Sequence, residues 1–131
     1  MKEHGPIEDL FRAVKAGKAG RVRKMIEAGA DIHATDEHGA SLLHYAACGM
    51  PEMVRLLCEQ GAEFHVRDAR GYAPLHVAFL RKDVAIVRLL TGMGADAHAP
   101  IPGMRSPVEE ARAAGDTDML EALGVQAAFV G

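Results

Sequence analysis

The chain has no tryptophan and no asparagine, and its aromatic content is only 5%. So few large rings argue against a strand-rich sandwich. The apolar residues are instead mostly Ala, Leu, Val and Met, which suit short, closely packed helices. Cysteine is scarce as well: Cys48 and Cys58 are the two present, and neither lies in a CxxC pair. The opening residues lack an apolar signal core, and no apolar run approaches the ~18 residues a membrane helix needs. The expected setting is therefore the reducing cytoplasm, without a membrane span. A secretion signal read by a specialised machine would leave no trace in such a pattern.

No strongly charged segment is present either. Residues 1–30 hold seven Lys/Arg against four Asp/Glu (+3), residues 31–99 six against nine (−3), and residues 100–131 two against five (−3). These sum to the overall −3. No part is basic enough for a nucleic-acid footprint. A positive head and a negative tail would favour head-to-tail stacking, although exposed charges at this density are weakly coupled.

What the sequence does contain is repetition. Asp36 and Asp68, Gly39 and Gly71, Leu43 and Leu75, and His44 and His76 are each separated by 32 residues. Gly29-Ala30-Asp31, Gly61-Ala62-Glu63 and Gly94-Ala95-Asp96 recur at 32 and then 33. A period of this length signals stacked supersecondary units, each too small to bury its own apolar face. The tetrapeptides Ser41-Leu42-Leu43-His44 and Ala73-Pro74-Leu75-His76 resemble the Thr-Pro-Leu-His signature of ankyrin repeats. The resemblance covers roughly residues 6–124. It implies an all-α solenoid of stacked helix-turn-helix units with short β-hairpin-like loops, forming one domain over residues 1–131. Its units would span about residues 6–31, 32–64, 65–97 and 98–124, with the first and last acting as caps and an apolar tail over residues 125–131.

Local signals agree with that division. In the first unit Ile7, Leu10, Phe11 and Val14 recur at helical spacing, and Val22, Met25 and Ile26 share the face of a second helix. Lys and Arg fill the remaining positions, as a terminal repeat facing water requires. In the second unit Leu42, Leu43, Ala46 and Ala47 predict a short inner helix, and Pro51 opens an outer one. His44 to Val54 is 10 residues where His76 to Val87 is 11, so one residue is missing near Gly49-Met50. In the third unit Leu75, Ala78 and Phe79 point to the core and Asp83 is a candidate N-cap. Ala73 stands where the family has Thr, so the hydroxyl that braces the signature His is absent. In the fourth, Ser106-Pro107 opens a helix and Asp116 caps the last one. The tail beyond Gly124 either folds back over the last unit, offers a sticky segment to a partner, or is the stub of a longer chain.

Seven histidines raise the question of chemistry. The resemblance implies that His44 and His76 brace the loops. His33, His65 and His98 sit two residues after Gly-Ala-Asp/Glu, one repeat apart, and should form a ladder bonding hairpin to hairpin. Rungs about 10 Å apart cannot share a zinc bound ~2.1 Å from each nitrogen. His44 and Cys48 lie at i and i+4, within reach of each other. A Cys–His nucleophile needs an orienting third group and an oxyanion site besides, and the sequence offers neither. The adjacent Glu109 and Glu110 point different ways on a helix and form no acid–base pair. No catalytic, metal or cofactor residue is therefore assigned, and the expectation is a non-enzymatic protein.

What remains is surface. Carried over position by position, the resemblance implies a concave strip made of hairpin tips and the exposed side of the inner helices. In the second unit it comprises Glu37, His38, Ala40 and Cys48. In the third it comprises Ala69, Arg70, Tyr72, Leu80 and Arg81, and in the fourth Ile101, Met104 and Arg105. Tyr45, Val77 and Glu110 stand at its edge. Arg, Tyr and Met are types enriched at interfaces, so the assigned partner-binding set is Glu37, His38, Arg70, Tyr72, Leu80, Arg81, Met104 and Arg105. The expected function is recognition of another protein by a monomer, with neither nucleic acid nor membrane as partner. The alternative is a structural element assembling head-to-tail through its caps and tail.

Overall fold

A computed structural model of the chain describes residues 6–125. Within these residues eight helices form four helix–turn–helix pairs. The pairs are α1 (Pro6–Lys15) with α2 (Ala19–Glu27), α3 (Leu42–Ala46) with α4 (Pro51–Glu59), α5 (Pro74–Leu80) with α6 (Val84–Met93), and α7 (Pro107–Ala114) with α8 (Thr117–Ala122). In the inner layer α3 packs on α1 and on α5. In the outer layer α4 packs on α2 and α6, and α6 on α8. The array is an all-α solenoid. Its hairpin-like loops contain, among the described residues, a single isolated antiparallel bridge between Thr35 and Ser41.

The helix starts follow from local chemistry. Proline opens α4, α5 and α7, where a backbone N–H would have no helical acceptor. Ser41 and Ser106 cap α3 and α7 with their hydroxyls. As the sequence suggests, the carboxylates of Asp83 and Asp116 accept from Ile86 N–H (3.2 Å) and Met119 N–H (3.1 Å). The missing residue near Gly49 has a visible cost in length: α3 has five residues where α5 has seven. The turn between paired helices needs a left-handed residue, supplied by Gly17 (φ 73°) and Gly115 (φ 68°) in the caps. In the third unit that residue is Lys82 (φ 59°). A side chain with a Cβ tolerates this region poorly, so the turn is strained there.

The core is a continuous stripe through the stack. Leu42, Ala46, Ala47, Val54, Leu57 and Ala78 are wholly buried, as are Ile86, Val87 and Leu90. Small alanines on the inner helices let neighbouring units approach closely enough to share one apolar layer. Truncating a leucine such as Leu57 to Ala would cost about 2–5 kcal/mol. Two apolar positions depart from expectation. Ile7 is 45% exposed, at the mouth of a groove between the first and second units, and Phe79 is only half-buried. At the far end Val125 N–H donates to the Leu120 carbonyl (2.9 Å) and its side chain packs on the core. Residues 126–131, where most of the apolar tail falls, lie outside the described residues.

Candidate interaction surface

The loops between units are built by two aspartates. Asp36 Oδ1 accepts the N–H groups of His38 (2.8 Å) and Ala40 (3.0 Å), and Asp68 Oδ1 accepts those of Arg70 and Tyr72 (both 3.0 Å). Each carboxylate thus folds the four residues after it into a tip that aims a side chain (His38 or Arg70) outward. The tips touch: Ala69 N–H donates to the His38 carbonyl at 2.8 Å. Gly39 is required at this approach, since a Cβ there would lie 3.0 Å from the Ala69 nitrogen. In the fourth unit Ile101 replaces the aspartate. The backbone bond from Ile101 N–H to the Arg105 carbonyl (3.2 Å) nevertheless persists.

The signature histidines lock each tip to its own helix and to the next unit. His44 Nδ1 accepts from Ser41 N–H (3.0 Å) and Ser41 Oγ–H (2.8 Å), so Nε2 carries the proton and donates to the Tyr72 carbonyl at 2.7 Å. His76 repeats the pattern, accepting from Ala73 N–H (3.0 Å) and donating to the Ala99 carbonyl (3.1 Å). Burial pushes the His76 imidazole below its ordinary pKa, only partly offset by the bond to Ala99. The fourth unit has Glu109 in this place. Its Oε1 accepts Ser106 N–H (3.1 Å), and Ser106 Oγ accepts Glu109 N–H (3.2 Å). That reciprocal cap was available in the sequence as Ser106-Pro107-Val108-Glu109, read one repeat after Ala73-Pro74-Leu75-His76.

The expected ladder is corrected by this network. His33, His65 and His98 are exposed, and at two of them it is the backbone N–H that bonds, to Asp31 (2.9 Å) and Asp96 (2.9 Å). Tip-to-tip cohesion runs through His44, His76 and the Ala69–His38 bond instead. The Cys48 thiol donates to the His44 carbonyl at 3.6 Å. Both imidazole nitrogens of His44 are already engaged, which leaves no base beside that thiol. Among the described residues no three His, Cys, Asp or Glu could hold a metal ion.

Between the second and third units the tips and the inner helix α5 line a groove of about 590 Å³. Five of the eight assigned residues, His38, Arg70, Tyr72, Leu80 and Arg81, line it, together with Cys48. Leu80 is 44% exposed, and the Arg70 guanidinium lies 5.7 Å from the centre of the Tyr72 ring. Tyr45 and Val77 are half-buried at the edge, as expected. Two residues of the wider strip are largely covered. Ala40 is 8% exposed and Ile101 1%, because each tucks under its own tip. Met104 and Arg105 stand apart from the groove; Met104 is exposed, and Arg105 Nε sits 3.5 Å from Glu110.

Glu37 belongs to a second groove, of about 680 Å³, which lies between the first and second units and which sequence reasoning missed. His38 and Tyr45 line both grooves, and Ile7, Phe11 and Lys15 of α1 complete the second. The Tyr45 hydroxyl donates to Asp36, its ring meets Phe11 edge-on with centroids 5.7 Å apart, and Lys15 Nζ lies 4.7 Å above it. The Asp36 hydrogen bond, followed by burial, pushes the phenol up to about 12. Burial alone would raise the Asp36 carboxyl. Bonds from Tyr45, Ala40 and His38 outweigh it and hold the carboxyl below its ordinary range. Tyr45 is therefore fixed between the two grooves, and α1 supplies one wall of the second.

Among the described residues no helix is long and apolar enough to cross a membrane. Comparison with family models matches residues 10–100 to ankyrin repeats, in three copies. The pair α7–α8 lies beyond that match and completes the array. A search of curated proteins finds no match. Ankyrin repeats are in general protein–protein interaction modules. With more than half its length matched and its helix pairs stacked in this order, the chain belongs to the ankyrin-repeat family.

Proposed function

We propose that this protein is a monomeric cytoplasmic recognition module that binds a partner protein through its concave face, centred on the groove between the second and third units. The carrying observation is that His38, Arg70, Tyr72, Leu80 and Arg81, from two tips and one inner helix, line one open groove. The side chains stand on a frame fixed by Asp36, Asp68, His44 and His76. A surface already ordered in this way loses little conformational entropy on binding. An array of this size offers about 800 Å² to a partner, a standard interface. Glu37, Met104 and Arg105 extend the contact to either side.

The test is affinity capture from native extract with wild type and the Arg70→Glu/Tyr72→Ala variant side by side. A protein retained by the wild type and lost from an equally stable variant supports the reading. Equal capture by both would mean that the surface is misplaced. If both baits retain only further copies of themselves, head-to-tail assembly replaces it.

A further inference from the structure

We propose that the groove between the second and third units takes an acidic–apolar peptide, a short segment in which a large aliphatic or aromatic side chain is flanked by Asp or Glu. The inference rests on this groove being the partner site proposed above. Its interior is apolar, formed by Ala40, Val77, Leu80 and the ring of Tyr72, and can desolvate an inserted side chain. At the rim stand Arg70 and Arg81, both exposed. Arg55, Arg88 and Arg105 each have a carboxylate within 4 Å. Among the described residues Arg70 and Arg81 have none.

The carboxylate lining this groove, Asp68, is committed to the N–H groups of Arg70 and Tyr72. Those two amide donors blunt its repulsion toward an incoming anion. The local field is thus positive in a chain whose net charge is −3. A longer polyanion such as nucleic acid is disfavoured, because the positive rim does not continue into the adjoining groove, where Glu8, Asp36 and Glu37 stand against Arg12 and Lys15. Two guanidiniums above an apolar slot match carboxylates flanking one anchor side chain, the arrangement that fixes both register and specificity at an interface.

The probe is a displayed library of random linear peptides, selected on the 131-residue chain and counter-screened on two variants. Leu80→Asp spoils the apolar slot, and Arg70→Glu/Arg81→Glu reverses the rim. All three substituted side chains are exposed, and melting curves check that the fold is kept. The expected result is a set of peptides with Asp or Glu around Leu, Phe or Met. Their affinity should fall about tenfold or more in the charge-reversed variant and weaken with added salt. Peptides lost with Leu80→Asp but free of any acidic bias would overturn the acidic preference while leaving the groove as the site. Peptides indifferent to both variants, or no enrichment at all, would overturn both readings. A wild-type dimer that dissociates in the charge-reversed variant would mean that a second copy occupies the groove, and would also overturn the proposal.

Discussion

Restoring the missing hydroxyl at residue 73 should stabilise the array. In the second unit Ser41 Oγ both donates to His44 Nδ1 (2.8 Å) and accepts His44 N–H (3.3 Å). In the fourth, Ser106 Oγ accepts Glu109 N–H (3.2 Å). Ala73 occupies the same cap with no side-chain bond. Its backbone (φ −87°, ψ 163°) is nearly that of Ser41 (φ −87°, ψ 171°), so a hydroxyl would fall into place without rearrangement. A Ser or Thr cap over Ala is worth about 0.5–2 kcal/mol, typically ~1. For a domain of this size 1 kcal/mol corresponds to a rise in Tm of about 3–4 °C. Ala73→Thr and Ala73→Ser should therefore both raise Tm, followed by far-UV circular dichroism and denaturant titration. Ser41→Ala should lower stability by at least as much, since it removes a cap from a helix of only five residues. An unchanged or lowered Tm for both residue-73 variants would refute the reasoning, because it would mean that the hydroxyl contributes nothing to the histidine brace.

Three further expectations follow from the same frame. His76 is held neutral in the folded chain, so the unfolded chain takes up the proton first. Stability should be complete above the ordinary value of 6.5 and decline as pH falls below it, and a flat stability between neutral pH and about pH 5 would contradict the buried brace. Relieving the left-handed strain at Lys82 with Lys82→Gly should add about 0.5–1 kcal/mol, and a lower Tm would show that the turn is not strained. In a spectroscopic pH titration Tyr45 should ionise near pH 12, shifting toward the ordinary 10.0 in Asp36→Ala; an unshifted phenol would break the assigned bond.

Much of the architecture was legible because it is written at a fixed period. The pairing of Asp36 with Asp68 and of His44 with His76 set the register, and Asp83 and Asp116 announced helix starts by position alone. The family resemblance, rather than spacing, supplied the concave strip and the bracing role of the histidines. What stayed hidden depends on how one unit meets the next. Nothing in the sequence distinguishes Ala40 and Ile101, tucked beneath their tips, from the exposed residues beside them. The ladder of His33, His65 and His98 is as regular as the bracing histidines, yet all three are exposed, and at His33 and His98 it is the backbone that bonds. Glu109 was legible as the last residue of a Ser-x-x-Glu capping box but was passed over, because a carboxylate there does an imidazole's capping work. The second groove was hidden because α1, read only as a cap, also supplies Ile7, Phe11 and Lys15 to the concave side.

The central claim is that the concave groove, and not the outer helices or the ends, is the recognition surface. Amide chemical-shift mapping of the labelled chain with its captured partner, or with a selected peptide, tests it most directly. Perturbations should concentrate at residues 37–41, 69–72 and 77–81, and the exposed positions Arg55, Glu59 and Arg88 on α4 and α6 should stay still. Perturbations centred on α4 and α6, or confined to α1–α2 and α7–α8, would contradict it.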